Sequence, residues 1–190
     1  MNPAELQPHD PAWRETADLQ LRAIRDALQG LDGVSDAAFD HIGSTSVPGL
    51  AAKPFVDLQV RILPLPDVEQ LAERLAPQGY ERALGSRPDS PGVHSDIPRG
   101  GHDVPSDVWH KRLFTNPQVP AILHIRRFDS PWGLYAVQFR DWLRANDEAR
   151  DRYESMKRRL SAANEGKADY DDYTRAKTAF FDEVQSELEN

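Results

Sequence analysis

Apolar positions in this chain repeat at helical spacing near both ends and alternate in the middle. Trp13, Ala17, Leu21, Ile24 and Leu28 form one stripe of a helix. It opens at Asp10-Pro11, where a side-chain cap precedes a proline suited to the first turn. Gly30 and Gly33 end it. Segment 36–42 reads as a short strand that runs into the turn-rich stretch Gly43 to Lys53. The strongest strand is 55–62, with Val56, Leu58, Val60 and Ile62 on one face and Phe55, Asp57, Gln59 and Arg61 on the other. A helix follows from Pro66-Asp67, with Val68, Leu71 and Leu75 as its stripe, and Gly79-Tyr80 turns the chain into a short strand.

Residues 84–108, rich in Gly, Pro, Ser and Asp, read as a long loop. Two strands are expected at 110–115 and 120–127, the second with Leu123 and Ile125 opposite His124 and Arg126. Three helices complete the chain, at 132–145, at 147 to about 162, and along Tyr173, Ala176, Phe180, Val184 and Leu188. The pattern predicts an α/β fold with a small mixed sheet of about four or five strands, backed by helices. Residues 1–130 would form the α/β core and 131–190 a helical part packed on it as one compact unit.

Composition narrows the function classes. With 39% hydrophobic residues in a chain of 190, a core can form. Lys and Arg number 23 against 31 Asp and Glu, a formal charge of −8, which argues against nucleic-acid or membrane-surface partners. It leaves room for a local basic pocket that takes a small anionic ligand. No cysteine is present, so disulfides, thiolate metal sites and cysteine nucleophiles are excluded. No stretch is long and apolar enough for a membrane span, and the N-terminus lacks a secretory pattern, so a cytoplasmic location is expected. His94, His102 and His110 recur at a spacing of eight, which matches no metal-binding pattern and reads as a solvated loop.

Candidate chemistry concentrates between His41 and Val60. Gly43 allows close approach to a ligand, Ser44 and Thr45 offer hydroxyls and amides, and Asp57 emerges on the polar face of the next strand. Phosphate donors beside a carboxylate suggest a metal–nucleotide site. The segment is not a P-loop, because five residues separate Gly43 from Gly49 and Lys53 follows four further on. Each residue also has a structural reading. The Gly-Ser turn would serve as a helix cap, Asp57 would pair with Arg61 or Lys53, His124 would be a satisfied core histidine, and Lys111, Arg112, Arg126 and Arg140 would be surface charges.

The run His41 to Val60 resembles the GrpB family of small bacterial proteins, within the nucleotidyltransferase superfamily related to DNA polymerase β. Trp109, Lys111, Arg112 and Phe114 look like its W-x-[KR]-R-x-F stretch, Leu123-His124-Ile125 like its L-H-V strand, and the helix Phe139 to Arg144 like F-R-D-Y-L-R. Tyr153, Lys157, Tyr173 and Lys177 sit where its later helices carry Tyr and Lys. The likeness runs from about residue 8 to 185 and implies a nucleotidyltransferase-like fold.

It further implies an Asp57 that holds Mg²⁺, with Gln59 and His124 completing the catalytic positions. Gly43, Ser44, Thr45, Lys53, Lys111, Arg112, Arg126 and Arg140 would hold the phosphates of a nucleotide or small anion. The superfamily places a second carboxylate where this chain has Gln59, and a third where it has His124, a weak set for magnesium. Three readings follow: a nucleotide-binding module with a degenerate site, an active transferase moving a nucleoside monophosphate to a small acceptor, or an accessory module of coenzyme A metabolism. The last rests on the family domain being found joined to dephospho-coenzyme A kinases. Nothing in the sequence names a protein partner.

Overall fold

The structure is a computed structural model that describes residues 4–85, 90, 92–98 and 103–188. Helix α1 (Ala12–Ala27) leads to β1 (Ala38–Ile42), β2 (Val56–Ile62), α2 (Val68–Leu75) and β3 (Glu81–Arg82). Then come β4 (Lys111–Asn116), β5 (Ala121–Arg127) and four helices: α3 (Pro131–Ala145), α4 (Asp147–Ala163), α5 (Asp171–Glu183) and α6 (Gln185–Leu188). The sheet is mixed, in the order β1-β2-β5-β4-β3, with β2 and β5 parallel and the other pairs antiparallel. Among the described residues no helix is long and apolar enough to cross a membrane.

Register decides which side chains share a face. Leu58 lies opposite Leu123 and Val60 opposite Ile125, while Phe114 lies opposite Leu123 on the other side. These residues are fully buried, as alternation in β2 and β5 requires, and they pack with Ile24 of α1, Leu28 just beyond its end, and Leu71 and Leu75 of α2. On the opposite face Asp57, Gln59 and Arg61 adjoin Ile122, His124 and Arg126 of β5, then Thr115, Leu113 and Lys111 of β4. Helices α3–α5 cover this polar face. Tyr135, Phe139, Tyr153 and Phe180 form a second apolar cluster there with Val47 and Leu50.

Local chemistry sets several boundaries. Asp10 caps α1 by accepting the Ala12 amide at 2.9 Å. Ser130 and Asn146 cap α3 and α4. The Gly43–Ser46 segment forms a single 3₁₀ turn over Ser44–Ser46, not an α-helix. There the Ser46 hydroxyl donates to the Gly43 carbonyl at 2.6 Å, a local bond that competes with helix growth, and Pro48 follows. The last helix is split at Val184, and Ala176 lies exposed, off the buried line of Tyr173, Phe180 and Val184.

The described parts of the long loop hold more regular structure than their composition suggests. Ser95 bridges to His110, the Asp96 amide donates to the Trp109 carbonyl at 2.8 Å, and Ser106–Trp109 form a 3₁₀ turn. His102 lies outside the described residues; among those described, no group of His, Asp and Glu is arranged to hold a metal.

Candidate functional site

A cavity of about 500 Å³ lies between the polar face of the sheet and the helical layer. Gly43, Ser44, Thr45, Lys53, Asp57 and His124 all line it. Gly43 turns with φ +70°, and a Cβ there would stand 2.4 Å from Asp57 Oδ2, so only glycine lets this turn rest against the carboxylate. The Ser44 side chain bonds to the Tyr153 hydroxyl. Thr45 Oγ1 lies 3.0 Å from His41 Nε2, and the Ser46 carbonyl accepts from the Arg144 guanidinium at 2.8 and 3.0 Å. The turn is thus tied to β1, α3 and α4, while the amides of Ser44 and Thr45 form no hydrogen bond among the described residues.

Behind Asp57 runs a polar network that fixes one tautomer. Lys111 Nζ and Arg126 Nη2 lie 3.3 and 3.4 Å from His124 Nδ1. Both are donors only, so Nδ1 accepts and Nε2 carries the proton. Nε2 is directed toward Asp57 Oδ1, 3.7 Å away. Burial and the neighbouring Lys111 and Arg126 charges lower the His124 pKa to about 4, so the ring is neutral at pH 7. Burial alone would raise the Asp57 carboxyl. The imidazole N–H of His124 directed at it and the Lys177 and Lys53 charges hold it below its ordinary value.

Arg126 grips Asp96 through two bonds of 2.7 and 2.9 Å, and Lys111 Nζ lies 3.0 Å from the same carboxylate. This fork-shaped pairing, with both partners 2–4% exposed, anchors the loop to the sheet.

A profile of one protein family, described as GrpB protein, matches residues 3–187. The chain belongs to the GrpB family. It is similar to the conserved protein GrpB of Enterococcus faecalis, whose crystal structure superposes with a TM-score of 0.69 at 26% identity, covering 97% of this chain and 96% of that one. It is 35% identical to a UPF0157 protein of Streptomyces coelicolor over 91% of this chain and 77% of that protein. It is also 33% identical to a dephospho-CoA kinase of Mycolicibacterium paratuberculosis over 94% of this chain but 44% of the kinase. The chain therefore spans less than half the length of that relative. A structure of the Cid1 poly(U) polymerase aligns at TM-score 0.51 and 11% identity, over 82% of this chain and 44% of that one, a likeness of fold alone.

The nucleotidyltransferase-like α/β fold expected from the sequence is thereby established, and the site of this GrpB protein can be set against the expected pattern. Two expected positions differ. Gln59 is on the same face as Asp57 but does not reach the cavity. It is fully buried, with its amide donating to the Gly133 carbonyl at 3.0 Å and its Oε1 accepting from Arg126 at 2.7 Å. Arg112 pairs with Ile125 in register and so faces the α1–α2 side of the sheet, away from the cavity. The register argument places Lys111 inside and excludes its neighbour.

Lys111 and Arg126 line the cavity but are already paired with Asp96. Arg140 lines it too, donating to the His41 carbonyl at 3.0 Å and to Asp141. Arg61 pairs loosely with Asp40 at 3.7 Å, so it is not the partner of Asp57.

Magnesium does not fit this donor set. One carboxylate faces a neutral imidazole, and the second carboxylate position is an amide turned toward Arg126. Three lysines converge on the same end. Lys53, Lys157 and Lys177 line the cavity, and each is electrostatically coupled to Asp57. Sequence reasoning placed Lys53 here but gave no site role to Asp96, Lys157 or Lys177. For the lysines a signal existed: each stands four residues after a tyrosine of an apolar helix stripe, Tyr153 and Tyr173, which aims it inward. Nothing local marks Asp96.

Proposed function

We propose that the cavity binds a nucleotide or another small phosphate-bearing anion, on a nucleotidyltransferase-type fold that does not retain metal-dependent transfer. The observation that carries this reading is Gln59, locked between Arg126 and Gly133 where the transfer reaction would need an exposed carboxylate. Size supports a small ligand, since about 500 Å³ falls within the usual range of such sites. So does the lining, which combines Trp132, Tyr135 and Phe181 with lysines and the Gly-Ser turn, giving apolar surface for a base and cations for phosphates. A small molecule, not a nucleic acid, suits the net charge of −8, and a cytoplasmic location fits the cysteine-free chain.

The test is a thermal-shift and calorimetric survey of nucleoside phosphates and sugar phosphates, beside an assay of pyrophosphate release. A ligand-dependent rise in Tm without turnover is expected. Pyrophosphate release that disappears in Asp57→Asn would instead restore the transferase reading. A second reading is favoured by the match to dephospho-CoA kinases: the domain serves as an accessory module that holds a coenzyme A precursor. Dephospho-CoA and coenzyme A belong in the same survey. A shift with these two and not with simple nucleotides would select it.

A further inference from the structure

We infer that the cavity holds the phosphates of its ligand with lysine ammonium groups in the place of divalent metal ions. This rests on the reading of the cavity as a site for a phosphate-bearing ligand. The three lysines come from separate elements. Lys53 precedes β2, Lys157 lies on α4 and Lys177 on α5. Lys53 Nζ sits 3.4 Å from the centre of the Tyr170 ring, Lys177 Nζ 5.0 Å from Tyr173, and Lys157 Nζ 5.0 Å from Tyr153. Aromatic faces attract such cations without neutralising them. Lys157 also donates to the Ala51 carbonyl, which again carries no full charge. Among the described residues none of the three has a carboxylate in ion-pair contact.

The surrounding charge is therefore out of balance. Basic side chains outnumber Asp57, Asp96 and Asp171 in the cavity lining, although the protein as a whole is acidic. Asp96 is consumed by Arg126 and Lys111, Asp171 accepts from the Ser90 hydroxyl at 2.6 Å, and Asp57 is the carboxylate of the three that acts on every lysine of the group. Like charges gathered in a poorly solvated cavity repel, and burial with mutual repulsion depresses the Lys53 and Lys157 pKa values to about 7. An anion relieves that repulsion, and a lysine serves as a compact point charge for phosphate. A divalent cation would add to the repulsion, and the residues that could hold it beside Asp57 are an amide committed elsewhere and a neutral histidine.

The test is calorimetry of the full chain with ATP and with pyrophosphate, in EDTA and again in excess magnesium. Binding in EDTA should be at least as tight as in magnesium, which masks phosphate charge. Lys53→Met and Lys177→Met should each weaken it at least about tenfold, while Lys177→Arg should retain it. Tm and circular dichroism confirm that each variant is folded, and the EDTA comparison needs no variant. Binding that requires magnesium would overturn the inference and leave the cavity's assignment to a phosphate ligand standing. Magnesium-independent binding unchanged in both methionine variants would also overturn it. No binding of any phosphate compound under either condition would remove both.

Discussion

Gln59 is held at both ends of its amide, and that arrangement turns on the difference between nitrogen and oxygen. The Nε2 group donates to Gly133, and Oε1 accepts from Arg126. In Gln59→Glu the charge would be welcome beside Arg126, but a second oxygen would replace the donor and face the Gly133 carbonyl. Stability should fall by about 1–3 kcal/mol in urea titration, with no magnesium-dependent rise in Tm. A magnesium-dependent rise would mean that the side chain reaches the cavity. Gly43 makes the complementary case. Its φ of +70° and the 2.4 Å approach of an added Cβ to Asp57 Oδ2 leave no room for alanine. Gly43→Ala should cost about 1–3 kcal/mol and weaken nucleotide binding, read by the same titration and by calorimetry.

The elements place these residues, and two of them can be tested separately. Leu58 sits at the centre of β2, fully buried against α1 and α2, so Leu58→Ala should cost about 2–5 kcal/mol in denaturant titration. A loss below about 1 kcal/mol would mean that the strand face packs differently. The loop segment carrying Asp96 is held by the buried Arg126 and Lys111 pair. Asp96→Asn leaves two buried cations under-compensated and should cost about 3–5 kcal/mol at pH 7.

The pH dependence of that pair follows from its sign. Burial works to raise the Asp96 pKa, but Arg126 and Lys111 overcome it and hold it well below the ordinary value of 3.8. Its contribution is therefore complete above 3.8 and is lost as pH falls further, through the depressed folded value. The urea midpoint of the unmodified chain should drop more steeply below pH 4 than that of Asp96→Asn.

Across the molecule, two apolar clusters lie on opposite faces of one sheet, and the cavity is what remains between the sheet and the second. Lys53 faces Lys177, Asp57, Tyr170 and Tyr173; Lys157 faces Lys177, Glu154, Arg158, Asp57 and Tyr153. The folded pKa values of both lysines are depressed to about 7 from 10.5. Between those values the unfolded chain binds more protons, so stability should rise with pH across that window. A phosphate ligand should draw protons back onto the lysines. Calorimetry at pH 8 in buffers of differing ionisation enthalpy should then show proton uptake on nucleotide binding. A buffer-independent enthalpy would place the phosphates away from this cluster.

Alternation of apolar and polar residues in Val56 to Ile62 and in Ala121 to Arg127 was sufficient to separate a core face from a polar face, because side chains along a strand point to its two faces in turn, even though the helical layer buries Gln59, Arg61 and Arg126 on the polar face too. The helices were legible from their own spacing of apolar residues, and the Gly-Ser turn followed by a strand with a carboxylate near its start marked the site, while the close approach of Gly43 to Asp57 came only with the fold. Register was not legible. Only the pairing of β4 with β5 decides that Lys111 enters the cavity and Arg112 leaves it, since a shift of one residue exchanges them. Nor could sequence reveal that Asp96 would cross from a loop to neutralise Arg126, or that Lys53, Lys157 and Lys177 would meet. Those contacts join positions far apart along the chain. They are set by how the helical layer docks on the sheet, not by any pattern of neighbouring residues.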